Sequence, residues 1–101
     1  MTYIDEIAQA IQAALPADVR LPKSDTDRLF RLYAVLALAK GVQVTTEDIH
    51  DAWAAWECDR RPDSRSIVPF DHLAPAVQQL DEPFVEAIRR VARGLRSAAS
   101  S

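Results

Sequence analysis

The hydrophobic positions of this chain fall into four stretches with helical spacing, and few segments alternate with period two. In the first stretch Ile4, Ile7, Ala8, Ile11, Ala14 and Leu15 recur at i, i+3, i+4 and i+7, with Asp5, Glu6, Gln9 and Gln12 on the wet side. Thr2, with Asp5 at the capping-box offset, predicts where this helix starts, and Pro16 where it stops. Residues 17–23 read as a connector held by Val19 and Leu21 and stiffened by Pro22. Ser24 or Asp25 caps a second helix that runs to Lys40, with Gly41 in the left-handed stop position. From Leu29 onward it is apolar on nearly every side, through Phe30, Leu32, Tyr33, Val35, Leu36 and Leu38. Such a helix is expected to be an interior hub, packed by neighbours on several faces.

Val42–Val44 reads as a short extended link, after which Thr45 or Thr46 caps a third helix. Its inward positions are expected to be Ile49, Ala52, Trp53, Trp56 and Cys58, and its outward ones Glu47, Asp48, Asp51, Glu57 and Asp59. A polar loop follows from Arg60 to Ser66, then an extended Ile67–Phe70, because a residue before proline is pushed out of the helical region. Asp71 is placed to cap a short turn, and Pro75 suits the first position of another. The last helix spans about Pro83 to Arg96, burying Phe84, Ala87, Ile88, Val91, Ala92 and Leu95. Arg89, Arg90, Arg93 and Arg96 crowd its final turns, where cations complement the helix dipole. The pattern predicts a single all-α domain over residues 1–96. It is a compact orthogonal bundle of four main helices with one long irregular Pro-containing connection, followed by a frayed tail at 97–101.

Composition narrows the function more than the fold. A chain of 101 residues, 49% hydrophobic with only two glycines, suits one helical core. The net charge of −3 gives no electrostatic reason to seek nucleic acid or an anionic membrane. The longest apolar run, Tyr33 to Ala39, is far short of the ~20 residues that span a bilayer. The acidic start at Asp5 and Glu6 does not read as a secretory signal, so a cytoplasmic protein is expected. Cys58 is the only cysteine, which excludes an internal disulfide and a Cys-based zinc site.

Candidate chemistry is sparse. Ala37 followed by Gly41 and a capped helix imitates a helix-turn-helix, but the helix that would enter the groove opens with Glu47, Asp48 and Asp51. Those acids would face a polyanion, so DNA is not an expected partner. Glu47 and His50 have the spacing of a helical metal-ligand pair, but one pair is weak. The plainer reading is an interfacial histidine held by a neighbouring acid. No Gly-x-Ser-x-Gly elbow, phosphate-cradling glycine loop or paired-carboxylate motif is present. The expectation is therefore a non-enzyme with no cofactor, no catalytic residue and no metal ligand.

The aromatic anchors remain. Trp53 and Trp56 lie three apart on nearly one helix face. Either both staple the Val68–Pro69–Phe70 segment to the core, or one of them lines a recognition pocket. In the second reading Trp53, Trp56 and Phe70, with Arg60, Arg61 and Arg65 from the adjoining loop, form the binding residues. An aromatic face beside arginines suits a flat anionic ligand such as a nucleotide. A surplus of apolar surface on the second and third helices points instead to a protein partner or to a homo-oligomer.

The ordered set His50-x-x-Trp53, Arg61-Pro62, Val68-Pro69-Phe70-Asp71-x-Leu73, Asp81 and Ala87-x-x-x-Val91 resembles the RyR domain, the repeat of ryanodine receptors that also occurs as modules in bacteria and phages. The resemblance covers residues 50–95 and implies a Trp-bearing helix, a Val-Pro turn and a closing helix, with the first two helices as added scaffold. The Gly-Trp-x-x-Gly loop of that family is absent, replaced by the short Arg60–Ser66 loop, which removes part of its nucleotide cleft. The layout is also similar to small proteins of actinobacteria and their phages, and the Arg- and Ala-rich composition fits a GC-rich genome of that kind. The leading expectation is a small helical interaction module, phage- or prophage-encoded, that binds a protein partner or itself. The alternative is an RyR-like sensor of a nucleotide or small metabolite.

Overall fold

The computed structural model describes residues 2–100, with side chains through residue 95. The described chain is all helical: α1 (Tyr3–Ala14), α2 (Thr26–Ala39), α3 (Thr46–Arg60), the single-turn α4 (Pro75–Gln78) and α5 (Glu82–Ser100). Tight 3₁₀ turns at Gly41–Gln43, Phe70–His72 and Gln79–Asp81 fill the connections. The four long helices form a small bundle with α2 at its centre, in contact with α1, α3 and α5.

Local chemistry sets the helix starts. Thr2 and Asp5 form a reciprocal capping box on α1, and Thr45 and Asp48 form the same box on α3. Each box satisfies two backbone donors that the first turn would otherwise leave bare. The start of α2 differs from expectation. Asp25 occupies the cap position, but in the left-handed region at φ 58° and without a side-chain cap bond. Its carboxylate turns instead to Arg28 at 3.1 Å, while the connector is tied in by the Thr26 hydroxyl donating to the Pro22 carbonyl at 2.9 Å. Gly41 ends α2 at φ +59°, the conformation for which a glycine stop is used.

The core joins Ile7, Ala8 and Ile11 of α1 to Leu29, Phe30, Tyr33, Ala34 and Ala37 of α2, with Ile49 and Trp56 from α3 and Val85, Ala87 and Ile88 from α5. Val44, in the link, is fully buried. Several expectations need correcting. The second helix is not apolar and covered on every face: Val35 is 50% exposed and Leu38 49%, while Leu32 and Leu36 are only partly buried against the core. The Val42–Val44 link is not extended throughout, because Gly41–Gln43 winds into a 3₁₀ turn. Cys58 lies on the exposed side of α3, and Glu57 is buried in its place, where it pairs with Arg60 at 3.4 Å. Leu95 sits at the exposed edge of α5, and Val85 takes a buried place that the stripe reading missed. Asp71 lies inside the Phe70–His72 turn, whose cap position is Pro69.

Arg89, one of the arginines expected to complement the dipole of the last helix, reaches across to donate to the Val44 carbonyl at 2.9 Å, pinning α5 to the turn after α2. The backbone of α5 continues to Ser100, past the expected end at Arg96. The stretch expected to fray is thus helical as far as Ser100, and only residue 101 of it lies outside the described residues. Among the described residues no helix is long and apolar enough to cross a membrane.

Candidate functional site

A cleft of about 720 Å³ opens between the 18–22 connector and the turn-rich crossing that leads into α5. Its apolar surface comes from Leu21 and Pro22 on one lip, Val77 and Leu80 on the other, and Trp53 and Phe84 in the walls. Leu29 and Tyr33, both buried, reach it from α2. The walls are aromatic because three helices meet here. The Tyr33 ring lies 5.6 Å from Phe84 at 52° and 5.4 Å from Phe30 in an edge-on arrangement, separations at which rings attract.

His50 and Asp81 supply the titratable chemistry. His50 is buried on α3, and its Nε2–H donates to the Val68 carbonyl at 2.6 Å. The imidazole stacks on Trp53 at 5.7 Å and 25°, and lies 6.1 Å from Phe70. It therefore clamps the Val68–Pro69–Phe70 segment to α3 through a carbonyl, where an acid of its own helix had been expected. Glu47 and Asp51 are exposed, and the acid that faces His50 is Asp81, far along the chain. Asp81 is half-buried. That burial pushes its carboxyl up to about 6, against the attraction of His50 and with the repulsion of Glu82 adding to it. Tyr33 is raised as well, first by burial and then by the Asp81 charge.

The structure separates the residues that the sequence grouped as one binding set. Trp53 lines the cleft. Trp56 does not: it is 1% exposed, its indole N–H donates to the Asp25 carbonyl at 2.9 Å, and it belongs to the core. Three residues of helix turn a side chain by about 300°, so the two indoles diverge by about 60° and meet different neighbours. Arg60 is also taken up by packing. Its guanidinium lies 4.2 Å over the Trp56 ring and binds Ser24 at 3.0 Å and Glu57 at 3.4 Å. Arg61 and Arg65 are exposed and lie outside the cleft lining. Phe70 backs His50, and its carbonyl accepts from Gln78 Nε2 at 2.9 Å.

Asp81, Tyr33, Leu80 and Arg20 were not singled out as site residues, yet all of them line the cleft. Asp81 left two traces in the sequence, its place in the RyR-like pattern and its position as an acid near Leu80, Pro83 and Phe84. Among the described residues no group of three or more His, Cys, Asp or Glu side chains is placed to hold a metal ion.

Fold and cleft define a small all-α domain with an aromatic-walled groove containing a single histidine. Residues 2–93 match the model of the Domain of unknown function (DUF7701), and the chain belongs to that family. Every residue of the cleft falls within the matched span. No curated protein and no solved structure matches the chain.

Proposed function

We propose that this domain is a non-catalytic interaction module that binds a protein partner through the cleft. The observation that carries the reading is the lip: Leu80 is 68% exposed and Val77 41%, and both continue the apolar surface of the walls out onto the protein face. Contiguous apolar surface left in water marks a contact surface, and a concave one with a few polar groups marks a binding site. Placing a photo-crosslinking residue at Leu80, with Gln12 on the exposed face of α1 as control, tests it in the native host. A defined protein captured at Leu80 and absent at Gln12 is expected; identical patterns from both positions would sink the reading. The exposed Glu47 at the start of α3 argues against DNA as the partner, since an acid there would face the phosphate polyanion.

The RyR resemblance supplies a second reading, a sensor of a nucleotide or small metabolite, and the cleft volume falls in the range of small-molecule sites. Its difficulty is the phosphate. Arg60 is committed to Trp56, Ser24 and Glu57, and Arg20 is the cleft's arginine. A rise in melting temperature with an adenine nucleotide, removed by Arg20→Ala, would favour this reading over the first.

A further inference from the structure

The charged and titratable lining of the cleft is Asp18 and Asp81 with Arg20 and His50, and beside Asp81 the walls offer the rings of Trp53 and Phe84. Among the described residues no hydrogen bond or ion pair reaches the Asp81 carboxylate, although it is half-buried; His50 attracts it only from beyond contact distance. A carboxylate withdrawn from water without a partner is costly, and a cation brought to it recovers that cost. Aromatic faces beside a carboxylate are also where an ammonium or guanidinium is held, by attraction to the ring quadrupole.

Resting on the reading of the cleft as a partner site, we infer that its occupant is a segment of a partner protein presenting a lysine or arginine flanked by apolar residues, with the cation set against Asp81. A free amine would meet Asp81 but leave Leu80 and Val77 in water, whereas a segment covers the lip as its cation enters. The groups facing Asp81 are His50 from α3, Tyr33 from α2 and Glu82 from α5, with Asp18 and Arg20 on the connector side of the same cleft. Because burial pushes the Asp81 carboxyl up to about 6, the pairing strengthens as pH rises through that value and the carboxylate forms.

The test is selection of the intact domain against a random-peptide display library, followed by tryptophan-fluorescence titration of enriched peptides. Enrichment of Lys or Arg between apolar residues is expected. Affinity should fall about ten- to a hundredfold in Asp81→Asn, or on wild type when the peptide's cation is replaced by norleucine, the range of a charge-assisted bond. Apolar peptides that bind Asp81→Asn unchanged would overturn the inference and leave the partner-binding reading standing. No enrichment would overturn both. Binding of n-pentylamine as tight as the best peptide would overturn the commitment to a partner segment. The norleucine comparison uses the wild-type protein, so it decides the matter even if Asp81→Asn fails to fold.

Discussion

The two sides of α2 use similar residues to opposite ends. Toward α1, Phe30 meets a helix whose Ile7, Ala8 and Ile11 are buried, and the seam is closed by Arg31 to Asp5 at 2.8 Å. Toward the cleft, Leu29 and Tyr33 face a proline-stiffened connector and a chain of short turns, and the first turn of α5 reaches Tyr33 there through Phe84. A helix closes a seam because its side chains arrive every turn along one stripe. A connector and a crossing of single turns cannot supply a continuous stripe, so a groove remains where a further helix would have packed. The cleft thus follows from what the crossing is made of.

The largest effect that could break this comparison is at Trp56. If it is a strut of the closed side, Trp56→Ala removes a full indole, a hydrogen bond to Asp25 and the seat of Arg60, costing about 3–5 kcal/mol. Trp53→Ala, on the open side, forfeits one stacking partner and part of a half-buried surface, about 1–2 kcal/mol. Urea unfolding of the pair measures the gap. Equal losses would mean that the cleft wall is as much a part of the core as the seam.

That gap also shows which features were legible beforehand. The α1 stripe and the start of α1 at Thr2 could be read because they depend on residues within a turn or two of each other. Partition of the third helix could not. Trp53, Trp56, Glu57 and Cys58 are sorted by what packs on them, and the bond from Trp56 to Asp25 spans 31 residues. Arg60 illustrates the same limit: a basic residue beside a loop reads as available, yet a glutamate on its own helix and a serine before α2 have claimed it. Val35 and Leu38 add the converse, since an apolar residue on a hub helix is buried only where a neighbour reaches it. Asp81 became a site residue through the crossing's path, which carries it back over His50 and Tyr33.

Smaller effects sharpen the contrast. Thr45→Ala removes the hydroxyl that accepts from the Asp48 amide and should cost about 1 kcal/mol, seen as a lower urea midpoint. The pH dependence then separates the two sides by sign. Asp81 holds its proton more tightly folded than unfolded, so the native state binds more protons between 3.8 and about 6 and stability declines as pH rises through that window. With solvent screening of a half-exposed group the decline is on the order of 1 kcal/mol, and Asp81→Asn should abolish it. Asp5 acts oppositely. Its bond to Arg31, with the bonds to Thr2, lowers its carboxyl to about 2, so its contribution is complete above the ordinary 3.8 and is lost as pH falls toward 2. Melting temperatures across this range, for wild type, Asp81→Asn and Asp5→Asn, resolve the two limbs.

The smallest expected stability effect is the one most informative about purpose. Leu80 is 68% exposed, so Leu80→Asp removes little buried area and should shift unfolding by less than about 0.5 kcal/mol. A residue that contributes so little to its own fold, yet stands apolar at the mouth of an aromatic groove, costs solubility in return for nothing the isolated domain uses. If the groove receives a partner, the same substitution abolishes crosslinking to it from a photo-reactive residue placed at Val77, while the melting curve stays in place. A substantial loss of stability would place Leu80 on the closed side of the comparison, with the crossing folded over the groove in solution.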